Sequence, residues 1–345
     1  MIEILSANAA QTEKQGRPAA PSLEAVRNAG DFALRMPVKH GGTWADATTT
    51  VRRLAELGRA CPSTSWNVGT SAVAKTLVVT SLGDDLPPAF AADPHAQACG
   101  TGVPSGRVER GPDGTRVSGS WKSLSGCEDS VWAAVGVMDG DRFSLALLPV
   151  SDLKIEHTWD VAGMRGTGSH TAVAEGVVVP DEWVFPVSLP GPQADFTFYG
   201  LTALAPVVGA TRGALDLIDG MFASDRKPYM STYTRMAESP GARHWLGEAT
   251  RTTLRAERAL LALAAEVDSG DLTPADGPRI SAEMSAAGRD CRQALELMLD
   301  LHGTSGFATS NALQRFWRDV AVGSRHPHLN PYLAAERFGD DRAAS

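Results

Sequence analysis

The chain has 345 residues, 43% of them hydrophobic, and a formal charge of −8, which is enough to bury a large core in more than one domain. Its acidic balance, with no basic stripe, argues against a nucleic-acid surface. No apolar run reaches the roughly 20 residues that span a bilayer and Met1-Ile-Glu-Ile-Leu-Ser6 has no basic leader, so a cytoplasmic protein with no membrane partner is expected.

Residues 1–25 are polar and rich in Ala and Pro, which predicts a loose lead-in. Val51, Leu54 and Leu57 recur at helical spacing and predict a helix over 43–60, with Pro62 stopping it; residues 65–82 read as a second, buried helix. From residue 98 the period changes to alternation, which sets a domain boundary. Strands are predicted over 116–121, 131–138, 142–148 and 172–179, with hairpin turns at Gly111-Pro-Asp-Gly114 and Asp139-Gly140, giving a central antiparallel β-domain. After residue 192 long helices return. Trp245, Ala249, Ala256, Leu260, Leu263 and Val267 form one apolar stripe, and Ile280, Met284, Ala287, Cys291, Leu295 and Met298 another. Joined through residues 270–278, these two can pair antiparallel, and segments 204–222 and 308–322 complete a four-helix bundle. The fold class is therefore α+β and multidomain: an N-terminal helical domain over 1–97, a β-domain over 98–192 and a helical bundle over 193–345. Cys61, Cys99, Cys127 and Cys291 are dispersed without a C-x-x-C pair, so reduced, buried thiols and no metal site are expected.

The most informative stretch is Trp159-Asp-Val-Ala-Gly-Met-Arg-Gly-Thr-Gly-Ser-His170. Its glycines lie between strands rather than before a helix, which excludes a dinucleotide loop. Backbone N–H groups, Thr167 and Ser169 offer donors that suit the polar edge of a flavin; the residues alone read equally well as a tight connection. Trp121-Lys-Ser-Leu-Ser-Gly-Cys127 stands upstream and Arg318-Asp319 near the C-terminus. With these motifs in this order, from Phe32-Ala-Leu-Arg-Met-Pro-Val-Lys-His-Gly-Gly42 to Asn330-Pro331, the chain resembles the acyl-CoA dehydrogenase superfamily. It is most similar to the two-component flavin-dependent monooxygenases of that fold, with the first helices shortened.

That resemblance implies an oxygenase component that receives reduced FMN or FAD from a separate NAD(P)H-dependent flavin reductase, since no nicotinamide-binding unit is visible. Oxygen would add at flavin C4a, and the hydroperoxide would hydroxylate or N-oxidise a small organic substrate. It implies that Trp121, Ser123, Thr167 and Ser169 hold flavin and that Ser125 points to its reactive edge, although Ser125 alone reads as a turn serine bonded to its own backbone. Arg226 matches an arginine that meets flavin phosphate across a subunit boundary, and Gly303 belongs to a small-residue turn, residues 302–307, that helps form the flavin site. On their own these two read as a surface arginine and a helix terminator. If either reaches a neighbour's flavin the enzyme is an oligomer, and the resemblance implies a homotetramer.

His326 matches a functional histidine of the monooxygenases, with His328 two residues on as its reserve; a helix-end histidine bonding free carbonyls is the plainer reading. An imidazole suits proton transfer near neutrality, and its protonated form can stabilise a developing oxyanion. His170 is expected to brace the glycine loop. An FAD-dependent acyl-CoA dehydrogenase is the second reading, weakened because no Glu follows Arg318-Asp319 where many dehydrogenases carry their base. A non-catalytic binding or assembly protein on the same fold is the third, favoured by the shortened N-terminus. No Gly-x-Ser-x-Gly elbow is present.

Overall fold

Two helices, α1 (Ile2–Gln15) and α2 (Ala20–Asn28), occupy the N-terminal stretch for which a loose lead-in was expected, in a computed structural model that describes residues 1–187 and 192–344. Leu5, Ala9 and Thr12 form a buried stripe one residue wide on α1, narrow enough that the average composition stays polar. Thr12 Oγ1 also accepts the Ala19 N–H at 3.0 Å, fixing the turn into α2. α3 (Ala47–Ala60) starts at Asp46, whose carboxylate accepts the Thr49 N–H at 2.7 Å and so satisfies an otherwise free helix donor. It buries Val51, Leu54 and Leu57. Pro62 does more than stop α3: it occupies the first turn of α4 (Pro62–Leu82), where its missing N–H costs nothing. The short α5 (Pro88–Ala91) leads to the sheet.

Seven strands follow: β1 (Ala98–Gly111), β2 (Gly114–Leu124), β3 (Trp132–Asp139), β4 (Arg142–Pro149), β5 (Lys154–Glu156), β6 (His170–Val179) and β7 (Val184–Pro186), in the order β5-β6-β2-β1-β3-β4-β7. Both expected hairpin turns are present. The sheet is mixed rather than antiparallel, because β1 and β3 run parallel. After β2 the chain crosses beneath the start of β1 through residues 125–131 and enters β3 on the far side, where the Val131 N–H donates to Gln97 O at 2.9 Å. One apolar face, including Val117, Trp121, Val135 and Leu148, closes on itself. The other packs Ala134, Leu145 and Leu147 against Ala74 and Val78 of α4. Residues 188–191, the end of the expected β-domain, lie outside the described residues.

The bundle comprises α6 (Gln193–Ala223), α7 (Pro240–Ser269), α8 (Gly277–His302) and α9 (Ala312–Gly323), followed by α10 (Pro331–Ala344). The α8 stripe is buried as expected, whereas Trp245 at the start of α7 is exposed. α6 corrects the reading that no apolar run is long enough for a bilayer. It contains one 18-residue window of sufficient hydropathy, but 83% of that window is buried in the protein, so it is the central helix of the bundle. All four cysteines are free and buried.

Candidate active site

The crossover that makes β1 and β3 parallel also positions the hydroxyl groups. β2 leaves its register with β6 between Trp121 and Leu124, and at this bulge the exposed Ser123 adopts a left-handed backbone with φ 57°. Beyond it the Gly126 N–H donates to Thr167 O at 2.8 Å, drawing loop 159–170 beside the Ser-Gly-Cys turn. Ser125 Oγ then lies 2.7 Å from Ser169 Oγ, which lies 2.7 Å from Thr167 Oγ1, and Thr167 donates to Met164 O at 2.8 Å. From α4, the Trp66 indole N–H donates to Ser125 Oγ at 3.2 Å. The same indole meets the His326 ring edge-on, with centroids 5.4 Å apart, and His326 stacks on His328 at 5.4 Å. Hydroxyls of the β-domain, an indole of the N-terminal domain and imidazoles just beyond α9 thus form one continuous array.

Trp66 is the member that sequence reasoning missed. It lies on a helix buried nearly all round, where no single face announces a site. A tryptophan among Ser63, Thr64 and Ser65 in such a helix was the available signal, since its N–H must find an acceptor when buried.

Burial pushes the His326 imidazole down to about 4, and the neighbouring His328 adds to the shift; His328 is lowered by burial as well. His326 Nδ1 is buried with no hydrogen-bond partner. The ring is therefore held neutral, with Nδ1 free to accept a hydrogen bond, and the same burial that disfavours the charged ring makes it a weaker base than an ordinary histidine.

The glycines of loop 159–170 serve protein packing. A Cβ on Gly163 would sit 2.0 Å from Arg318 O, and one on Gly166 would sit 2.4 Å from Thr12 Cγ2. The loop is thus pressed between α9 and α1. The adjacent Asp319 carboxylate accepts the Met164 N–H, while Arg318 donates to Ala162 O at 2.5 Å and pairs with Glu13. Burial raises Asp319 to about 7. Gly168 is held close to the end of α1 as well: it has φ 53° and its Cβ would lie 3.1 Å from Gly16 O.

His170 braces the loop, as expected of it. Its Nδ1 accepts the Trp159 N–H at 3.2 Å, which leaves the ring proton on Nε2, 3.5 Å from Glu128. His157 reaches the same carboxylate at 3.0 Å. The trio has metal-like spacing, within 4.8 Å, but a neutral His170 whose Nδ1 lone pair is in use has none left at Nε2 for a cation.

Residues 201–331 match the family model of the acyl-CoA dehydrogenase C-terminal domain. Over 96% of its length the chain is 28% identical to 89% of the oxygenase component of an FADH(2)-dependent resorcinol hydroxylase from Rhizobium sp. (strain MTP-10005). It is 27% identical to the oxygenase subunit HsaA of a flavin-dependent monooxygenase from Rhodococcus jostii (strain RHA1), covering 98% of this chain and 95% of that one. The structure of XiaF from Streptomyces sp., in complex with FADH2 and glycerol, superposes with a TM-score of 0.89 at 27% identity, covering 100% of this chain and 93% of that one. The chain is thus similar to the acyl-CoA dehydrogenase superfamily, in sequence over its C-terminal bundle and in fold over its whole length.

Within the superfamily fold, the residues expected at a flavin site divide into three groups. Ser125, Thr167, Ser169 and His326 come together through Trp66. Trp121 does not join them: it is fully buried in the sheet core and its indole N–H donates to Gly136 O at 2.8 Å. Arg226 and the turn at Gly303 meet each other instead, with the guanidinium donating to His302 O at 2.5 Å and to Ser305 Oγ at 3.1 Å. Gly303 follows the end of α8 with φ 76°. The central group fits the polar edge of a flavin, since it combines an orphaned His326 Nδ1 with a hydroxyl that keeps a free lone pair; Ser123, expected with it, stands two residues before Ser125 on the exposed bulge.

Proposed function

We infer that the chain is the oxygenase component of a two-component flavin-dependent monooxygenase. The observation that carries this reading is the meeting of Ser125 and His326 at Trp66, which puts a polar edge and a neutral imidazole in one array. Reduced FMN or FAD, when bound, supplies two electrons to dioxygen, so that one oxygen atom enters the substrate and the other leaves as water. Ser125, flanked by Ser123, orients the flavin edge. Trp66 and the histidine stack wall the reacting side from water, which strengthens each polar contact there. His326 accepts a proton from the substrate hydroxyl or amine, a role for which its neutral ring is prepared.

Small aromatic alcohols and amines are the proposed substrates. The indole of Trp66 and the stacked imidazoles offer flat surfaces suited to a ring. The dehydrogenase reading remains the second one, but no Asp or Glu stands between Asp319 and Glu336, and His326 occupies that stretch. The reason for a non-catalytic reading weakens, because α1 and α2 fold in the N-terminal stretch and α1 braces the glycine loop.

The protein is proposed to act in the cytoplasm, where an NAD(P)H-dependent reductase can deliver reduced flavin, and to assemble as a homotetramer. Tyr229 and Met230, 93% and 90% exposed beside Arg226, support a subunit contact there. In such an assembly Arg226 and the 302–307 turn would face a neighbour's flavin phosphate. NADH or NADPH alone is expected to leave added flavin oxidised in anaerobic stopped flow, whereas an added flavin reductase should support turnover of a phenol such as resorcinol. Rapid flavin reduction by either nucleotide without reductase would overturn this reading.

A further inference from the structure

The hydroxyl array has a fixed direction, which follows from counting protons. Thr167 Oγ1 lies 2.8 Å from the Met164 carbonyl oxygen, which has no proton to give, so the threonine proton lies in that bond. With that proton committed, the contact of 2.7 Å between Thr167 and Ser169 must be donated by Ser169. Ser169 then has none left, and the contact of 2.7 Å to Ser125 must be donated by Ser125. Trp66 Nε1, a donor only, gives its proton to Ser125 at 3.2 Å. The three hydroxyl residues are 1%, 3% and 7% exposed, in the order Thr167, Ser169, Ser125, so water does not compete for these protons. Ser125 Oγ is left with its proton turned inward and one lone pair unspent.

We propose that Thr167 and Ser169 act through Ser125 as positioning residues that make it an acceptor toward the bound flavin, so that the site selects the reduced cofactor. Reduced flavin carries a hydrogen at N5 and can donate to this lone pair; oxidised flavin presents a lone pair there and is opposed by it. The inference rests on the monooxygenase reading, which places Ser125 at the reactive edge. It departs from that reading in one respect: Thr167 and Ser169 set the polarity of the contact instead of touching the flavin. An oxygenase served by a separate reductase gains from this, because it takes up the reduced cofactor and lets the oxidised one go.

The test is the ratio of two affinities, measured on the full chain by anaerobic titration with photoreduced FMN and FAD and by aerobic titration with the oxidised forms. In Thr167→Val the inward acceptor is lost. Ser169 can then donate to Ser125, and the Ser125 proton turns toward the flavin. Oxidised flavin should bind more tightly and reduced flavin more weakly, and the preference for the reduced form should fall on the order of tenfold, the effect of about one hydrogen bond. Thr167→Ser keeps the hydroxyl and should keep the preference. Ser169→Ala, a second route to the same state, should lose it, whereas Trp66→Phe leaves the inward acceptor in place and should retain it. A folded Thr167→Val or Ser169→Ala protein with the wild-type ratio would overturn the proposal while leaving the flavin reading intact. Wild-type protein that binds neither form would overturn both.

Discussion

His326→Ala is expected to leave the fold and flavin affinity largely unchanged and to slow oxygen transfer by roughly 10²–10⁴-fold, the range for a lost general acid or base. The expectation follows from a buried imidazole with a free Nδ1, seated edge-on to the indole that holds Ser125. Reducing equivalents should then be lost to hydrogen peroxide, so the ratio of product to peroxide falls. The pH profile offers a second readout. Because burial lowers His326 to about 4, its proton-free form persists as pH falls below the ordinary histidine value, and the acid limb contributed by His326 should lie well below pH 6.5. His326→Gln should abolish that limb. Should His328→Ala lose product while His326→Ala keeps it, the base is the other ring of the stack; should neither variant lose product, the proton-transfer account fails.

Gly163→Val should give the largest loss of stability of any single change in loop 159–170. Even a Cβ here would lie 2.0 Å from Arg318 O and 2.8 Å from Asp319 N. Both neighbours are backbone atoms of α9, so no flexible side chain can swing aside. A cost at or above the upper end of the roughly 1–3 kcal/mol typical of overpacking is expected. Separation of loop and helix would also strip Asp319 of the Met164 N–H that it accepts and displace the Thr167 and Ser169 hydroxyls. Urea midpoints and flavin titration on one sample would show both losses together. Gly168→Ala should be milder, since its Cβ would meet Gly16 O at 3.1 Å and the strain is mainly that of a left-handed backbone. Equal stability of Gly163→Val and wild type would contradict the clamp between loop and α9.

What the sequence disclosed and what it concealed have physical causes. The wide apolar stripes of α7 and α8 were legible, as were Gly111 to Gly114 and the alternating strands, because each is a local pattern set by the period of its own element. α1 was not, since a stripe of Leu5, Ala9 and Thr12 is too narrow to raise the average hydropathy. The parallel pairing of β1 and β3 depends on which side of β1 the chain crosses, and no residue pattern encodes that choice. Ser125, Thr167, Ser169 and His326 could be named individually from their motifs. Their connection through Trp66 could not, because it joins residues 59 apart and more through a helix that is buried on nearly every face. The glycines of the central loop stood out as a cluster, but the helices that Gly163 and Gly166 admit, α9 and α1, lie far away in sequence and left no local mark there.

The central claim is that this array of hydroxyls, indole and imidazoles holds reduced flavin while dioxygen reacts and directs the oxygen to a substrate. Its most direct test is to load the purified protein anaerobically with photoreduced FMN or FAD, mix it with oxygenated buffer in stopped flow without substrate, and follow hydrogen peroxide release beside oxygen uptake. The account predicts that oxygen is consumed first and that peroxide appears after a clear delay, shortened in Ser125→Ala. Peroxide released in step with oxygen uptake, at the rate of free reduced flavin, would contradict it.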